Sequence, residues 1–359
     1  MTRRASLVAL LVVGCARSEA EPPDLGPAPA PPAVEPAPSG SGLNPRLLRR
    51  FRPLRTPETI ESDAMRAEIQ LGKALFFDPR LSRAGDTSCN TCHPLDTAGT
   101  DRRPLSRGDR GALGTRNTPT VFNAAWHVAQ FWDGRTSDID DQAKGPILNA
   151  AEMGMRSPEQ VVAVLGSIPD YVTRFKTAFP GSASITFDDV AAAIGEFERT
   201  LTTPSRWDTF LLGDARALSD AEVDGLKVFA DVGCVQCHTG ELVGGSMFQR
   251  VGVASPWPNQ QDPGREAVTK LESDRMVFKV PSLRNVVETA PYFHDGSVAA
   301  LPDAIRMMAR HQLGLELSDG EVGAIATWLG SLTGVAPRDA VAPPELPPDG
   351  PTTAAVMAR

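Results

Sequence analysis

Two short motifs, far apart in the chain, restrict what this sequence can fold into. Residues 88–94 read SCNTCHP and residues 233–239 read GCVQCHT, so the pattern Cys-x-x-Cys-His occurs twice. Each copy brings two thiols and an imidazole close together, and the fold must present all three to a common ligand. The pattern is compatible with covalently attached haem c, with a zinc site or with a redox disulfide.

The repeated histidine and the wide separation of the motifs favour haem c. The two thiols of such a motif form thioethers with the haem vinyl groups, and the adjacent histidine then ligates the iron. Paired zinc motifs usually lie close together in sequence, and a redox disulfide requires no histidine. We therefore expect two haem c groups, one attached through Cys89 and Cys92 with His93 as iron ligand, the other through Cys234 and Cys237 with His238.

The N-terminus predicts export and a lipid anchor. Two arginines precede a short apolar run, and Gly14-Cys15 follows. A basic start, an apolar stretch too short to span a bilayer and a small residue before the cleavage point form an export signal. A cysteine at that point is typical of a bacterial lipoprotein, and the alternative is an ordinary signal peptide with an incidental cysteine. We expect residues 1–15 to be the signal and the periplasmic protein to be held at a membrane through Cys15.

Composition divides the rest of the chain. Residues 16–62 are rich in proline and alanine and predict an extended tether, and residues 337–359 predict a disordered tail. Between them we expect an N-terminal haem domain at 63–203 and a C-terminal haem domain at 204–336. The formal net charge of −8 argues against a nucleic-acid partner.

Helix signals dominate these two domains. Ser219 with Glu222 and Ser318 with Glu321 form capping boxes, and each box heads an apolar-periodic run. No comparable set of alternating strand segments occurs, so we expect a mainly α protein with long loops. A short helix precedes each Cys-x-x-Cys-His motif. This repeat resembles the c-type cytochrome fold and predicts two such domains packed against each other.

Further segments extend the resemblance to a family. They read, in chain order, LGKALFFDPRLS, RNTPTVFNAA, QFWDGR, GPILNAAEM, FERTL, FKVPSLRNV and APYFHDGSV. Together with the two motifs they resemble the bacterial di-haem cytochrome c peroxidases, a family that includes the MauG-type enzymes. The resemblance implies reduction of hydrogen peroxide with electrons from a small cytochrome c or cupredoxin, and it is consistent with a homodimer.

The resemblance implies roles in the N-terminal domain. Glu152 matches the catalytic glutamate, Gln142 and Pro146 match its neighbours on the distal side of the haem, and Trp132 matches the tryptophan between the haems. From composition alone, Glu152 is better explained as a solvated surface carboxylate and Trp132 as a core residue. The matched segments favour the functional roles of both. The loop of residues 94–119, where many members carry a distal histidine, has none, and Asp109 falls at the expected position. We therefore expect an open iron site, and we expect His127 to serve in packing.

The C-terminal domain has its own implied ligand. Met308 matches the family's distal methionine, whereas MauG carries tyrosine at that position. Because a thioether favours ferrous iron, this site suits electron storage. The alternative is that Met307 and Met308 both fill the core. Met307 points about a quarter turn away, so the two methionines cannot both ligate, and His311 is the rival ligand.

The resemblance also implies a calcium ion between the domains. Asn117 matches its side-chain ligand, and Thr289 and Pro291 match its backbone carbonyl ligands. Such oxygen donors suit a hard cation. Lys279 and His294 match positions near the haem propionates.

Two other functions compete with peroxide reduction. A MauG-like oxidase would modify residues of a partner protein, and its open iron site would be the same. A di-haem carrier without enzyme activity would need both haems closed by two protein ligands, which the loop without histidine disfavours.

Overall fold

The computed structural model of the protein describes residues 42–55, 60 and 62–358. The expected signal peptide and the lipidation of Cys15 lie outside these residues and stay predictions. Across the described ranges, no helix is long and apolar enough to cross a membrane.

The described chain is mainly helical, as the sequence predicted, with 46% helix and 5% strand. Its two strands, β1 (Phe248–Arg250) and β2 (Val277–Lys279), pair antiparallel with Gln249 opposite Phe278. A π-helical turn, Ala309–Leu313, continues α11. The α-helices are α1 Pro45–Leu48, α2 Asp63–Phe77, α3 Cys89–Cys92, α4 Ile139–Leu148, α5 Pro158–Gly166, α6 Pro169–Ala178, α7 Phe187–Arg199, α8 Arg206–Leu211, α9 Asp220–Asp231, α10 Glu266–Thr269, α11 Leu301–Met308, α12 Asp319–Gly330, α13 Arg338–Val341 and α14 Thr353–Met357.

Both predicted capping boxes are confirmed. The Ser219 hydroxyl accepts from the Glu222 amide at the start of α9, and Ser318 does the same with Glu321 at the start of α12. In return, each serine backbone amide donates a hydrogen bond to the glutamate carboxylate. The boxes satisfy N–H groups that the first turn of a helix leaves without partners.

The two halves of the described chain, each expected to be a haem domain, are here called the N-terminal and the C-terminal domain. The N-terminal domain packs around the crossing of α2 with α7. Leu71, Leu75 and Ile194 are buried in its core. Gly72 lies at the crossing, where a Cβ atom would stand 1.7 Å from the Ala193 carbonyl oxygen. The two helices therefore meet at backbone contact, and no side chain larger than hydrogen fits between them.

The C-terminal domain repeats this construction with α9 and α12. Here a Cβ atom on Gly225 would stand 2.1 Å from the Ala324 carbonyl oxygen. Trp328 fills the core beside this crossing and packs edge-on against Trp207 at 5.6 Å between ring centres. Both glycines belong to the helix that precedes a Cys-x-x-Cys-His motif, so the repeat seen in the sequence is also a repeat of packing.

The predicted tether is too long. Residues 43–54 belong to the C-terminal domain, where Leu48 and Phe51 are buried in the core. Backbone hydrogen bonds join this segment to the loop after the second motif, including one from the Gly240 amide to the Arg50 carbonyl at 2.8 Å. The apolar residues of the sequence LNPRLLRRFRPL make this contact with the core. The prediction missed it because it rested on the average composition of residues 16–62, which is rich in proline.

The prediction of a disordered tail at 337–359 is also wrong. Residues 338–357 return to the N-terminal domain and form α13 and α14. The Thr353 side chain is fully buried, and its hydroxyl lies 2.8 Å from that of Ser167. Asp349 pairs with Arg80 at 2.7 Å. Widely spaced apolar residues make the contact, so neither periodicity nor composition shows it.

One buried ion pair ties three segments of the C-terminal domain together. The Arg284 guanidinium, 1% exposed, donates to both carboxylate oxygens of Asp208 at 2.6 and 2.7 Å. It also donates to the Glu241 carbonyl at 2.7 Å, and Asp208 accepts from the Leu54 amide at 2.6 Å. The pair thereby joins α8, the loop after the second motif and the N-terminal segment.

We expect Arg284→Leu to destabilise the haem-loaded protein by about 3–5 kcal/mol, because it leaves the Asp208 carboxylate buried without its charge partner. Urea unfolding followed by far-UV circular dichroism measures the change. Arg216→Leu is the matched control, since Arg216 forms an exposed pair with Asp214. Equal urea midpoints for the two variants would contradict this role of Arg284.

Candidate haem and catalytic sites

The first motif opens into a cavity of about 490 Å³, here called the N-terminal cavity. Its wall contains the three motif residues that were predicted to hold haem. The same wall contains the three predicted distal residues. These lining residues are Cys89, Cys92, His93, Gln142, Pro146 and Glu152.

Local hydrogen bonds fix the orientation of His93. Its backbone amide donates to the Cys89 carbonyl at 2.9 Å, which closes the turn of α3. Its Nδ1 atom lies 3.2 Å from the Gly99 carbonyl oxygen. A carbonyl only accepts, so Nδ1 carries the proton and Nε2 has a free lone pair for iron. Burial lowers the pKa of His93, although the Gly99 bond opposes the shift, and the ring stays in the neutral form that binds metals.

The second motif repeats this arrangement at a separate cavity of about 380 Å³, the C-terminal cavity. Cys234, Cys237 and His238 line it. The Nδ1 atom of His238 lies 3.1 Å from the Val243 carbonyl oxygen, which again leaves Nε2 free. Burial lowers the pKa of His238 to about 4.

The residues present fit haem c. None of the four cysteines in the part of the chain that the structure describes forms a disulfide. Nor do the described residues contain a group of three or more His, Cys, Asp or Glu side chains arranged to hold a metal ion. Each motif instead presents two thiols and one imidazole nitrogen to its own cavity, which is the donor set that haem c requires.

The structure distinguishes the three rival ligands of the second site. Met308 lines the C-terminal cavity. Met307 packs into the hydrophobic core, as expected from its neighbouring helical position. His311 turns to the Ser255 carbonyl oxygen, 3.2 Å from its Nδ1 atom, and packs edge-on against Trp257. Of the three, only Met308 lies on the wall of the cavity.

Trp132 lies where the two cavities meet, and it lines both. Its indole N–H donates to the Asn117 carbonyl at 2.9 Å, and its own carbonyl accepts from the Lys279 amide at 2.8 Å. Asn117 comes from the N-terminal domain and Lys279 from the C-terminal domain. The tryptophan is therefore held by both domains on the shared wall.

His127 has a hydrogen bond in addition to the packing role expected for it. Its Nδ1 atom lies 2.6 Å from the Lys279 Nζ atom, and both residues line both cavities. Burial lowers the pKa of Lys279 to about 7. Lys279 and His294, expected near the haem propionates, both line the C-terminal cavity.

Glu152 is held at the N-terminal cavity by its near neighbours. Its Oε1 atom accepts from the Asn149 side-chain amide at 2.7 Å, and its backbone amide donates to the Asn149 carbonyl at 3.0 Å. Burial raises the pKa of Glu152, while the charge of Arg135 and the Asn149 hydrogen bond oppose the shift. The carboxyl group is thereby prepared to exchange a proton nearer neutral pH than an exposed glutamate.

Asp109 does not line the N-terminal cavity, although the sequence placed it where a distal ligand was expected. It is buried and forms an ion pair with Arg83. Its neighbours Ser106, Gly108 and Gly114 do line the cavity. The loop of residues 104–116, here called the distal loop, therefore closes one side of the site without presenting a histidine or a carboxylate to it.

The three residues expected to bind calcium, Asn117, Thr289 and Pro291, all line the C-terminal cavity. The Asn117 amide N–H donates to the His294 carbonyl at 2.7 Å and so joins the two segments. Its side-chain Nδ2 donates to the Arg103 carbonyl at 2.8 Å, which leaves Oδ1 as the acceptor. The side-chain oxygen matches the donor chemistry that calcium requires.

The sequence did not single out three residues that shape the Glu152 environment: Asn149, Arg135 and Arg83. Asn149 could have been found from the sequence, because asparagine is typical of local turns. Its Oδ1 atom accepts a hydrogen bond from the Ala151 amide in such a turn. Arg83 reaches Asp109 across 26 positions of sequence. Only the tertiary structure shows that contact.

Comparisons with known proteins show which proteins this chain is similar to. Residues 66–216 match the family model described as di-haem cytochrome c peroxidase. The chain is 48% identical to the cytochrome c551 peroxidase of Pseudomonas aeruginosa over 79% of this chain and 83% of that protein. It is 34% identical to the methylamine utilization protein MauG of Methylophilus methylotrophus, over 79% and 85%. The crystal structure of a MauG-like protein associated with microbial copper homeostasis superposes with a TM-score of 0.67, at 29% identity, over 82% of this chain and 95% of that one.

We expect Asn149→Ala to raise the pKa of Glu152 further, because the lost amide hydrogen bond stabilised the charged carboxylate. The measurement is an infrared titration of the protonated carboxyl band, assigned by its loss in Glu152→Gln. Lys144→Gln is the control, since this lysine lies on α4 but lines neither cavity and pairs with the exposed Asp188. A titration midpoint that is the same in Asn149→Ala and the unmodified protein would refute the assigned contact.

Proposed function

Because the chain belongs to the di-haem cytochrome c peroxidase family, we propose that it reduces hydrogen peroxide to water with electrons from a small periplasmic cytochrome c or cupredoxin. One observation carries the proposal. The two cavities have the same histidine arrangement but differ in their other lining residues, with Glu152 at one and Met308 at the other. In this proposal Glu152 supplies acid–base chemistry at the N-terminal cavity, and Met308 supplies an iron ligand at the C-terminal cavity.

The haem at each site, when bound, supplies iron that accepts and releases electrons. Cys89 and Cys92 attach the first haem and Cys234 and Cys237 the second. His93 and His238 provide the iron ligands through Nε2. The free Nε2 lone pairs and the neutral, buried rings support these assignments.

Glu152 moves the proton in the proposed reaction. As a carboxylate it takes a proton from bound peroxide, and as a carboxylic acid it gives that proton to the oxygen that leaves as water. Gln142 and Pro146 line the cavity beside it and limit how peroxide is oriented. Two electrons and two protons are consumed for each peroxide reduced to two waters.

Trp132 connects the two sites electronically in this proposal. Its position on the wall shared by the cavities supports a role as the aromatic relay between the haems. We further propose a calcium ion at Asn117, Thr289 and Pro291, which would hold this boundary together, and a lipid anchor at Cys15 that keeps the enzyme at a membrane of the periplasm.

A MauG-like oxidation of a partner protein is the second candidate. The distal loop brings no histidine to the N-terminal cavity, and an iron site without a second protein ligand is expected for a MauG-like oxidase as well as for a peroxidase. Methionine at position 308, in place of the tyrosine of MauG, favours the peroxidase.

Met308→Leu should remove the optical and EPR features of a thioether-ligated haem from the C-terminal site, because leucine has no donor atom. Met307→Leu is the matched control and should leave the spectra unchanged, since that side chain packs in the core. Spectra of the haem-loaded ferric and half-reduced protein report the outcome. Identical spectra for Met308→Leu and the unmodified protein would rule out Met308 as the ligand.

Glu152→Gln should reduce steady-state peroxide turnover by about 10²–10⁴-fold, the usual contribution of a positioned acid–base group. Reduced cytochrome c or cupredoxin serves as electron donor, and haem content is matched by absorbance. Glu159→Gln is the control, an exposed carboxylate on α5. A fully loaded unmodified enzyme that reduces no peroxide with either donor would refute the proposed function.

A further inference from the structure

We propose that Arg83 and Asp109 act as a positioning pair that fixes Glu152 and holds the distal loop closed over the N-terminal cavity. The inference rests on the proposed catalytic role of Glu152. Neither residue lines the cavity, so both act through the backbone that they hold.

The pair is a directional contact rather than a loose surface attraction. Asp109 is 1% exposed, and Arg83 is partly covered. The Arg83 Nε atom donates to Asp109 Oδ2 at 3.0 Å, and its Nη2 atom makes a second, closer bond to the same oxygen. Burial removes the competition from water and salt that weakens exposed pairs.

The backbones of both residues bind the segment that carries Glu152. The Asp109 amide donates to the Glu152 carbonyl at 2.6 Å, and the Arg83 amide donates to the Met153 carbonyl at 2.8 Å. The ion pair therefore closes a ring of contacts around residues 152 and 153. A shift of either partner would move the Glu152 backbone with it.

Close packing leaves little room for the distal loop and the Glu152 segment to move relative to each other. A Cβ atom on Gly108 would stand 2.2 Å from the Ala151 carbonyl oxygen and 2.6 Å from the Glu152 Cα atom. A Cβ atom on Gly154 would stand 3.1 Å from the Asp109 carboxylate. The distal loop thus lies directly on the catalytic segment on both sides of Glu152.

Loss of Arg83 would release the loop. Asp109 Oδ1 is buried and accepts no hydrogen bond from the residues that the structure describes. Without Arg83 the carboxylate would be buried and unpaired, which is costly enough to drive it towards water. The loop and the Glu152 backbone would follow.

The test uses the haem-loaded enzyme with Arg83→Gln, Asp109→Asn and the double variant. We expect each single variant to lower kcat for peroxide by about tenfold with little change in KM, because small displacements of a catalytic group are costly. The double variant should be no worse than either single variant, because the two residues act as one unit. Arg83→Lys, which keeps the charge, should recover part of the rate.

Limited trypsin digestion reports the loop independently of turnover. The exposed Arg107 and Arg110 lie within the distal loop, and we expect cleavage after them to be about tenfold faster in both single variants, since local opening controls proteolysis. Arg102→Gln is the matched control, because it removes an exposed ion pair with Glu288 near the same loop.

The two readouts separate the possible failures. Additive losses in the double variant, or cleavage in Arg83→Gln as slow as in Arg102→Gln, would overturn the positioning pair. An enzyme with no peroxide turnover but with cleavage that depends on Arg83 and Asp109 would refute the proposed function while keeping the closed loop.

Discussion

Two helix crossings at backbone contact determine where both motifs stand. Gly72 on α2 meets the Ala193 carbonyl, and Gly225 on α9 meets the Ala324 carbonyl. Because the motif follows its helix after a short connection, the position of that helix sets the position of the thiols and of the imidazole. Any side chain at either glycine would separate the helices and displace the haem-binding residues, so these two small residues constrain chemistry in which they take no part.

The two halves share this helix packing but differ in the other residues that line each cavity. The histidines keep equivalent contacts, Nδ1 to a carbonyl a few residues downstream. The other lining residues differ: a half-buried carboxyl group with an asparagine partner lines one cavity, and a thioether lines the other. One packing unit therefore occurs twice with different cavity linings, and Trp132 lines both cavities.

How much could be predicted from the sequence depends on how far apart in the chain the contacting residues lie. Motif residues and capping boxes depend on neighbours within a few positions, and the structure places them as expected. Glu152 and Met308 were reached through the order of family segments, not through periodicity. The contact of Arg83 with Asp109 and the buried tail around Thr353 were missed, because each depends on residues brought together only by the tertiary fold.

The ends of the described chain complete the cores of the domains farther from them in sequence. Residues 43–54 pack in the C-terminal domain, and residues 338–357 pack on the N-terminal domain. Neither domain is therefore a single continuous stretch of sequence. Deletion of either terminal segment would therefore remove buried contacts from the core of the half that is distant in sequence, and not from its own neighbours in the chain.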